Sequence, residues 1–277
     1  MNGRARGKIA FITGAARGQG RSHAVRLAEE GADIIAVDIC KDVHTAPYGG
    51  ATVADLDETV GRVLALGRRI VARTVDVRDY NALQEALNEG VAELGGLDIV
   101  CANAGIFASG SSASLTEHQW TEMIDINLTG VWKTVKAAIP HLVAGGRGGA
   151  IVLISSAAGL RGMPNLSHYS SAKHALVGLT RSLANELGGY NIRVNSIHPG
   201  LVRTDMTQNE ALRSLFMPGV DNPTAEQFEV IAQSLNILPT PWIESIDISN
   251  ALLFLVSDEG RFITGTALPV DAGVTQK

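Results

Sequence analysis

The chain has 277 residues, 45% of them hydrophobic, which is enough for one large core within a single α/β domain. Its formal net charge is −5 and it has no long Lys/Arg cluster, which argues against a nucleic-acid partner. No apolar run reaches the length of about 18 residues that a membrane span needs, and the N-terminal segment lacks the apolar core of a secretory signal. We therefore expect a soluble cytoplasmic protein without a membrane partner.

A glycine-rich turn follows the first predicted strand. Residues 8–13 are a short apolar run, and the next residues, Gly14-Ala15-Ala16-Arg17-Gly18-Gln19-Gly20, lead into a helical pattern that Gly31 stops. In this order of strand, turn and helix, glycines let the backbone approach a pyrophosphate at the positive end of the helix. The sequence therefore predicts a dinucleotide site here. The GxxxxGK[ST] loop of ATPases is absent from the chain.

The second predicted strand, Asp33–Asp38, ends on a carboxylate. An acid about 20 residues after the glycine turn can accept hydrogen bonds from both ribose hydroxyls and repels a 2′-phosphate, so Asp38 favours NAD over NADP. Arg17 points the other way, because a basic residue beside the glycines would attract that phosphate. We give Asp38 more weight because its repulsion is direct, although a solvated acid at a strand end is the alternative explanation.

A long connection at residues 39–51 separates this strand from the next helical pattern, at residues 56–64. The connection exceeds the usual loop length, so it either carries function or is mobile. A third strand is predicted at residues 70–75 and a helix at residues 81–94. Asp76 follows the third strand, where it either hydrogen-bonds an adenine amino group or caps a helix.

The fourth predicted strand, at residues 97–101, runs into Asn103-Ala104-Gly105. Small residues at a strand end allow close backbone approach to a ligand, and we expect Asn103 to tie neighbouring strands together. A long helix is predicted at residues 116–144, with Asn127 in its middle. Asparagine is mildly unfavourable inside a helix, so Asn127 has either a functional role or a local hydrogen bond.

A Tyr-Lys pair lies on the helix predicted at residues 167–187. Positions four apart share a helix face, so the Lys173 ammonium should lie beside the Tyr169 phenol and lower its pKa. Such a tyrosine exchanges protons near neutral pH, and Ser156, at the end of the fifth strand, could hold a substrate oxygen. Taken alone, the pair is explained more simply by two surface residues. A second face of the helix carries an apolar stripe, formed by Ala172, Leu176, Leu179, Leu183 and Leu187.

The last third of the chain begins with a sixth strand at residues 192–197, after which Thr204 could contact a nicotinamide amide. Residues 205–243 lack clean periodicity, which suggests a lid over an apolar pocket or a packed excursion. A helix at residues 246–256 and a strand at Ala267–Val270 complete the chain. The candidate pocket residues are mostly apolar: Phe107, Leu160, Met163, Leu166, Met206, Phe216 and Trp242.

The alternation of strands and helices predicts one α/β domain over residues 1–277, a Rossmann-like doubly wound parallel sheet with helices on both faces. The histidines show no metal-ligand spacing, so no metal site is expected. Cys40 and Cys101 each end an apolar run, which fits unpaired thiols in a reducing compartment better than a disulfide.

As a set, these motifs resemble those of the short-chain dehydrogenase/reductase family. The resemblance covers nearly the whole chain, in the family's order: the turn at residues 13–20, Asn103-Ala104-Gly105, Asn127, Ser156, Tyr169-x-x-x-Lys173 and Pro199-Gly200. It implies nicotinamide-dependent oxidation of an alcohol or reduction of a carbonyl. It also implies that Tyr169 is the acid/base, that Lys173 lowers its pKa and holds the ribose, and that Ser156 orients the substrate oxygen.

Further roles follow from the same resemblance. Asn127 would maintain a proton relay through water, and the choice of Ser156 over Ser155 rests on the family's Ser-to-Tyr spacing. Members are usually tetramers or dimers with the tyrosine-bearing helix at an interface, which suits its apolar stripe, so we expect a homotetramer. The candidate cofactor-binding residues are Gly14, Arg17, Gly18, Gln19, Gly20, Asp38, Ile39, Asp76, Val77, Asn103, Ala104, Gly105, Tyr169, Lys173, Pro199, Gly200, Val202 and Thr204.

A narrower likeness is to the mycofactocin-associated, carveol-dehydrogenase-like branch. It is carried by GKIAFITGAARGQGRSHAVRLAEEGADIIAVDIC, PWIESIDISNALLFL and ITGTALPVDAG, together with the long connection after Asp38. Ser245 departs from that branch, which has proline at this position. The likeness implies NAD held as a prosthetic group and re-oxidised by a separate redox partner.

The predicted activity is hydride transfer between NAD and an apolar, terpenoid- or steroid-like secondary alcohol or ketone. Two alternatives stay open at this point. An NADPH-dependent ketoreductase is one of them, because of Arg17. A non-catalytic dinucleotide-binding or sensing module is the other, although such a module has no need of Tyr169, Lys173 and Ser156 together.

Overall fold

A seven-stranded parallel sheet forms the centre of the protein, which we describe over residues 3–277 from a computed structural model. The strands lie in the order β3-β2-β1-β4-β5-β6-β7. Their bounds are β1 Ile9–Thr13, β2 Asp33–Asp38, β3 Ile70–Thr74, β4 Ile99–Ala102, β5 Gly149–Ile154, β6 Ile192–Pro199 and β7 Ala267–Val270. The chain therefore winds outward from β1 to β3 and then returns to β4 on the other side of β1.

Nine α-helices connect and cover these strands within the described residues. Their bounds are α1 Gly18–Glu29, α2 Val53–Ala65, α3 Tyr80–Leu94, α4 Glu117–Ile124, α5 Gly130–Gly145, α6 Ser167–Leu187, α7 Glu210–Phe216, α8 Ala225–Leu235 and α9 Ser245–Val256. The predicted doubly wound parallel sheet is confirmed. At its switch point the loops after β1 and β4 diverge, which opens a crevice at the carboxyl ends of the strands.

Burial on both faces explains why the central strands are nearly continuous apolar runs. All residues of β1 and β2 are buried. Successive side chains of β1 enter two different cores, since Phe11 belongs to one apolar cluster and Ile12 to the other. Cys101 is buried in the second cluster, and both it and Cys40 are free thiols.

One predicted helix is interrupted. The helix expected at residues 116–144 consists of α4, a π-helical turn at Asp125–Thr129, and α5. A π turn inserts one extra residue into the helix and is often found at functional sites. Asn127 lies within this turn. The π turn therefore coincides with Asn127, the residue that is unfavourable within a regular α-helix.

Residues 205–243 contain two helices that the sequence analysis did not predict, α7 and α8. Helix α7 has seven residues, which is too short for a recognisable period. Helix α8 begins with a capping box in which Thr224 and Gln227 bond each other's backbone N–H groups, so a sequence signal for its start was present. Phe228 of α8 packs between Phe216 and Trp242, with ring centroids 5.8 and 5.2 Å away.

Within residues 3–277, no helix is both long enough and apolar enough to cross a bilayer. The same residues contain no group of three or more His, Cys, Asp or Glu side chains arranged to hold a metal ion.

Candidate active site

A cleft lies at the carboxyl ends of the central strands. It reaches from the ends of β2 and β3 to helix α6. The candidate cofactor residues that line it are Gly14, Arg17, Gly18, Gln19, Gly20, Asp38, Ile39, Asp76, Val77, Asn103, Ala104, Gly105, Tyr169, Lys173 and Thr204. Asn127 also lines the cleft. The topology therefore brings most of the predicted residues to one surface.

The glycine turn between β1 and α1 leaves room for backbone contacts only. Gly14 and Gly18 adopt φ values of +67° and +54°, which favour glycine. A Cβ atom on Gly14 would come within 2.9 Å of the Ala104 Cα, and one on Gly20 would collide with the Gly14 carbonyl. Helix α1 has no side-chain cap, so the N–H groups of its first turn are available to an anion. Such a cradle fits a pyrophosphate.

Asp38 is held in place by the backbone around the cleft. One carboxylate oxygen accepts a hydrogen bond from the Ala16 N–H at 3.0 Å, and the other accepts one from the Cys40 N–H at 3.1 Å. Each oxygen keeps a further lone pair for a ligand hydroxyl. Asn103 makes the predicted tie between neighbouring strands, since its side-chain amide, just after β4, donates to the Thr13 carbonyl of β1 at 2.9 Å.

Arg17 does not point freely into the cleft. Its guanidinium forms an ion pair with Asp205, with 3.0 Å between Nη1 and Oδ2, and it also donates to the Gly49 carbonyl. The side chain therefore joins the glycine turn to residues on two other segments. This engagement weakens the argument that Arg17 receives a 2′-phosphate.

A chain of charges surrounds Asp76. Arg78 binds Asp76 at 2.7 Å and, through its other nitrogen, Glu122 of α4 at 2.7 Å. Burial alone would raise the pKa of Asp76, but hydrogen bonds from Arg78 outweigh it and hold that pKa below the usual value. Asp79, not Asp76, caps helix α3. The helix-cap explanation of Asp76 is therefore wrong.

The connection at residues 39–51, which we call the strap, lies along the cleft. Three of its hydrogen bonds join it to other segments: the Gly49 carbonyl accepts from Arg17, the Thr45 N–H donates to Glu122 at 3.3 Å, and the Tyr48 hydroxyl accepts from the Phe107 N–H at 3.0 Å. The strap residues that line the cleft are Ile39, Lys41, Val43, Ala46, Tyr48, Gly50 and Ala51. Of these, the sequence analysis named Ile39 alone, because the length of the connection was the only signal.

Helix α6 places Tyr169 and Lys173 at the other end of the cleft. Lys173 is only 4% exposed and donates to the Ile154 carbonyl at 3.0 Å. Burial lowers the pKa of Lys173 to about 8. Its Nζ lies 5.7 Å from the centroid of the Tyr169 ring.

The predicted lowering of the Tyr169 pKa by Lys173 is not found. Tyr169 is 8% exposed, and burial raises the pKa of its phenol, while a hydrogen bond with Ser156 acts in the opposite direction. The helical spacing brings the two side chains together as expected, but the ammonium is bonded to the Ile154 carbonyl. Desolvation therefore outweighs the neighbouring charge.

The two serines after β5 have different partners. Ser155 donates its hydroxyl hydrogen to the Lys173 carbonyl at 2.9 Å, which fastens it to α6. Ser155 lines the cleft and Ser156 does not, although hydrogen bonding by the Ser156 side chain acts to lower the pKa of Tyr169. The Ser156 carbonyl accepts from Nδ1 of His198 at 2.9 Å. Burial lowers the pKa of His198 to about 4, so this support for Ser156 stays neutral. The sequence analysis did not identify His198, which sits at the buried end of β6.

Asn127 uses its side chain to fix the segment after β4. Its Oδ1 accepts from the Ile106 N–H at 3.2 Å and its Nδ2 donates to the Ile106 carbonyl at 3.1 Å. A Cβ on Gly105 would lie 2.6 Å from that oxygen and 3.5 Å from Lys173 Nζ. The amide thus makes the local hydrogen bonds that were one of the two expectations, and it does so beside the lysine.

Residues 8–214 match the sequence profile of the family described as short chain dehydrogenase. The chain belongs to the short-chain dehydrogenase family. The predicted family is therefore confirmed, while its mycofactocin link stays a prediction.

The relatives of this short-chain dehydrogenase are similar over nearly its whole length. It is 55% identical to (-)-trans-carveol dehydrogenase of Rhodococcus erythropolis over 275 residues, 99% of each chain. Trans-4-hydroxycyclohexanecarboxylate dehydrogenase of Sinomonas cyclohexanicum is 39% identical, over 97% of this chain and 93% of that one. A crystal structure of carveol dehydrogenase from Mycobacterium avium in complex with NAD has 53% identity and a TM-score of 0.98, covering 99% of this chain and 100% of that one.

Three predicted cofactor residues of this short-chain dehydrogenase do not line the cleft: Pro199, Gly200 and Val202. Gly200 packs on the backbone of Asp271, where a Cβ would come within 3.0 Å of the Asp271 Cα. Val202 is buried and forms an isolated β-bridge with Ile243. These residues set the course of the chain that brings Thr204 to the cleft.

The predicted apolar pocket is only partly assembled. Phe107 packs edge-on against Tyr169, with ring centroids 5.2 Å apart, and Met206 lines the cleft. Phe216 and Trp242 pack against Phe228 instead. Of the remaining candidates, Leu166 is buried in the core, Met163 is half-buried against it, and Leu160 is exposed.

The apolar stripe of α6 is buried within its own chain. Ala172, Leu176, Leu183 and Leu187 are buried, Leu179 is half-buried against the core, and α6 packs against β6. The stripe therefore explains the packing of this helix and is not evidence for an interface between subunits.

Proposed function

We propose that this short-chain dehydrogenase is an NAD-dependent enzyme that moves a hydride between the cofactor and the carbinol carbon of an apolar secondary alcohol. The observation that carries the proposal is the position of Tyr169 and Lys173 at one end of a cleft whose other end holds Asp38, with Ser156 acting on the Tyr169 phenol from behind the cleft lining. Both curated relatives are named for alcohols on six-membered rings. We therefore assign a cyclic, terpenoid- or steroid-like substrate class.

The choice of NAD rests on two residues, Asp38 at the end of β2 and Arg17 within the glycine turn. Asp38 would repel a 2′-phosphate, and Arg17 is already engaged by Asp205 and Gly49. Two relatives of known structure, at 53% and 46% identity, are described as complexes with NAD. When bound, NAD supplies a hydride acceptor at the nicotinamide ring. These observations disfavour the NADPH-dependent alternative.

Tyr169 is the group that exchanges the substrate proton. In ketone reduction its hydroxyl donates the proton to the carbonyl oxygen, and in alcohol oxidation the same oxygen accepts it. Burial keeps the phenol protonated at neutral pH, so oxidation requires that Lys173 stabilise the phenolate. Ser156 hydrogen-bonds the substrate oxygen and holds it toward Tyr169.

We assign Asn127 to the relay that carries the proton from Lys173 toward solvent. The positions of the two side chains support this assignment, because Asn127 Oδ1 and Lys173 Nζ both lie against Gly105. The same contact explains why a glycine is required there, because a larger residue would displace one of the two groups.

The strap favours retention of the cofactor between turnovers. It lies along the cleft and contacts its walls through Arg17, Glu122 and Phe107. We therefore assign an external redox partner that re-oxidises the bound cofactor, as the mycofactocin-associated branch implies. Residues 205–243 act as the substrate lid in this assignment, since Asp205 and Met206 line the cleft.

The assembly proposed is a cytoplasmic homotetramer. Strand β7 is the last of the sheet, so its outer edge has no neighbouring strand within the described residues. Phe262, in the segment between α9 and β7, is 88% exposed. An exposed large apolar side chain next to an unpaired strand edge favours association between copies of the chain. The free thiols Cys40 and Cys101 fit a reducing compartment. Native mass spectrometry of the purified protein would report both the oligomer and the dinucleotide that accompanies it.

The test of the activity uses carveol and a panel of cyclic secondary alcohols. Reduction of free NAD and reduction of an artificial electron acceptor are measured in parallel. Turnover with the acceptor and little turnover with free NAD supports a retained cofactor, whereas turnover with both supports an ordinary dehydrogenase. Dinucleotide binding without turnover of any alcohol or ketone would favour the sensing alternative.

A further inference from the structure

We propose that Tyr48, on the strap, is a positioning residue that aligns Tyr169 by holding Phe107 in place. The proposal rests on the proposed function, because it assigns a task to Tyr48 within the same reaction. It couples the segment that lies along the cleft to the residue that exchanges the substrate proton.

The first contact joins the strap to the chain after β4. The hydroxyl oxygen of Tyr48 accepts a hydrogen bond from the Phe107 N–H at 3.0 Å. Phe107 follows Gly105 by two residues, in a segment that Asn127 binds through Ile106. Phe107 lies after the end of β4, so its backbone N–H makes no hydrogen bond within the sheet, and the Tyr48 hydroxyl accepts it instead.

The second contact joins Phe107 to Tyr169. The Phe107 ring meets the Tyr169 ring edge-on, with centroids 5.2 Å apart and an interplanar angle of 75°. This is a favourable arrangement of two aromatic quadrupoles. Both rings are buried, so a shift of the Phe107 backbone changes the surface against which the phenol rests.

Tyr48 does not serve as a second acid or base. Burial raises the pKa of Tyr48, and the hydrogen bond from the Phe107 N–H offsets only part of that effect. The hydroxyl thus stays neutral across the working pH range and remains a constant acceptor. Its task is geometric.

A consequence follows for cofactor exchange. Displacing the strap would break the bond between Tyr48 and Phe107, so a protein with its strap open has a less constrained Tyr169. Catalytic alignment and cofactor enclosure are then achieved by the same closed conformation.

The experiment compares Tyr48→Phe, Phe107→Leu and the double variant. We expect Tyr48→Phe to lower kcat for alcohol oxidation roughly 3- to 10-fold while bound NAD is retained, because the tethers at Gly49 and Thr45 remain. If Tyr48 acts through the Phe107 ring, adding Tyr48→Phe to Phe107→Leu should reduce kcat little further. Tyr190→Phe, an exposed tyrosine far along the chain, is the matched control with unchanged kinetics.

A second measurement needs no substrate. Hydrogen exchange of the Phe107 amide should be at least about 10-fold faster in Tyr48→Phe than in the wild type or Tyr190→Phe. Unchanged exchange, or reductions of kcat that multiply in the double variant, would overturn the proposal. If the wild type oxidises no alcohol, the proposed function fails, and the exchange rates still decide whether Tyr48 holds Phe107.

Discussion

The two ends of the cleft are held together by different forces. Around Asp76 the contacts are ion pairs, with Arg78 between two carboxylates at 2.7 Å from each. Around Tyr169 they are hydrogen bonds to main-chain carbonyls and aromatic packing, and desolvation is the largest influence on the pKa of both Tyr169 and Lys173. Ion pairs therefore stabilise the Asp76 end of the cleft, whereas burial is the main influence on the pKa values at the Tyr169 end. Each end should respond to a different perturbation.

The largest effect is expected at the proton-exchanging end. Tyr169→Phe should lower kcat by about 10³-fold, since it removes the only atom assigned to exchange the substrate proton. NAD content should be unchanged, because the distant end of the cleft is intact. Steady-state kinetics and release of NAD after denaturation measure the two quantities. Retention of more than a few per cent of activity would contradict the assignment.

Acid should destabilise the protein through two buried histidines before it reaches the carboxylates, and one of them, His198, supports Ser156 at this same end of the cleft. Burial lowers the pKa of His198 to about 4 and that of His23 to about 3, so the unfolded chain takes up protons first as the pH falls below about 6.5. The free energy of unfolding is then highest above pH 6.5 and should fall by several kcal/mol, on the order of 3 from His198 alone, toward pH 4.

Denaturant unfolding across this pH range tests the prediction. His198→Asn should flatten the curve, because the Ser156 carbonyl keeps a donor while the titrating group is lost. His118→Asn, at an exposed position, serves as the matched control for the loss of an imidazole. A wild-type stability that is constant between pH 6.5 and 4.5 would be inconsistent with the buried neutral imidazoles.

At the opposite end, Asp38→Asn should change which dinucleotide is preferred. The amide oxygen can still accept one backbone hydrogen bond, but the charge that repels a 2′-phosphate is gone. We expect the ratio of NAD to NADP affinity to fall by about 10-fold, or about 1.4 kcal/mol. Fluorescence titration of both cofactors measures it, and an unchanged ratio would remove Asp38 from the account of specificity.

The smallest effect is expected where the strap meets the ion pairs. Glu122→Gln keeps an acceptor for Thr45 but removes the charge that binds Arg78, so NAD should dissociate about 3-fold faster. Glu117→Gln, exposed on the same helix, is the control. Because this end depends on charge, added salt should narrow the difference between Glu122→Gln and wild type. A salt-independent difference would indicate packing instead.

The sequence predicted the parts of this site that depend on regular periodicity. Helix α6 has the predicted bounds, and its spacing correctly placed Tyr169 beside Lys173. The direction of the Tyr169 pKa shift was wrong because spacing says nothing of how deeply a pair is buried or which carbonyl the ammonium binds. That information comes from the packing of α6 on β6 and from the bond between Lys173 and the Ile154 carbonyl.

The strap shows a different limit. Its length indicated either function or mobility, and its contacts from Tyr48 to Phe107 and from Thr45 to Glu122 form only once the segment after β4 and helix α4 are in place. Likewise Pro199 and Val202 were predicted to bind the cofactor, whereas neither lines the cleft and Val202 forms a bridge with Ile243. A motif marks the region of a site but does not distinguish a lining residue from one that supports it.

The position of Arg17 has a kinetic consequence. The Arg17 guanidinium bonds both the Gly49 carbonyl on the strap and the Asp205 carboxylate. If either segment moves away, Arg17 keeps only one of these two contacts. In the proposed assignment of residues 205–243 as a substrate lid, movement of Asp205 to admit an alcohol leaves Arg17 bonded to the Gly49 carbonyl, and movement of the strap to release a nucleotide leaves it paired with Asp205. Substrate entry and cofactor release are therefore coupled through the contacts of Arg17 in this proposal.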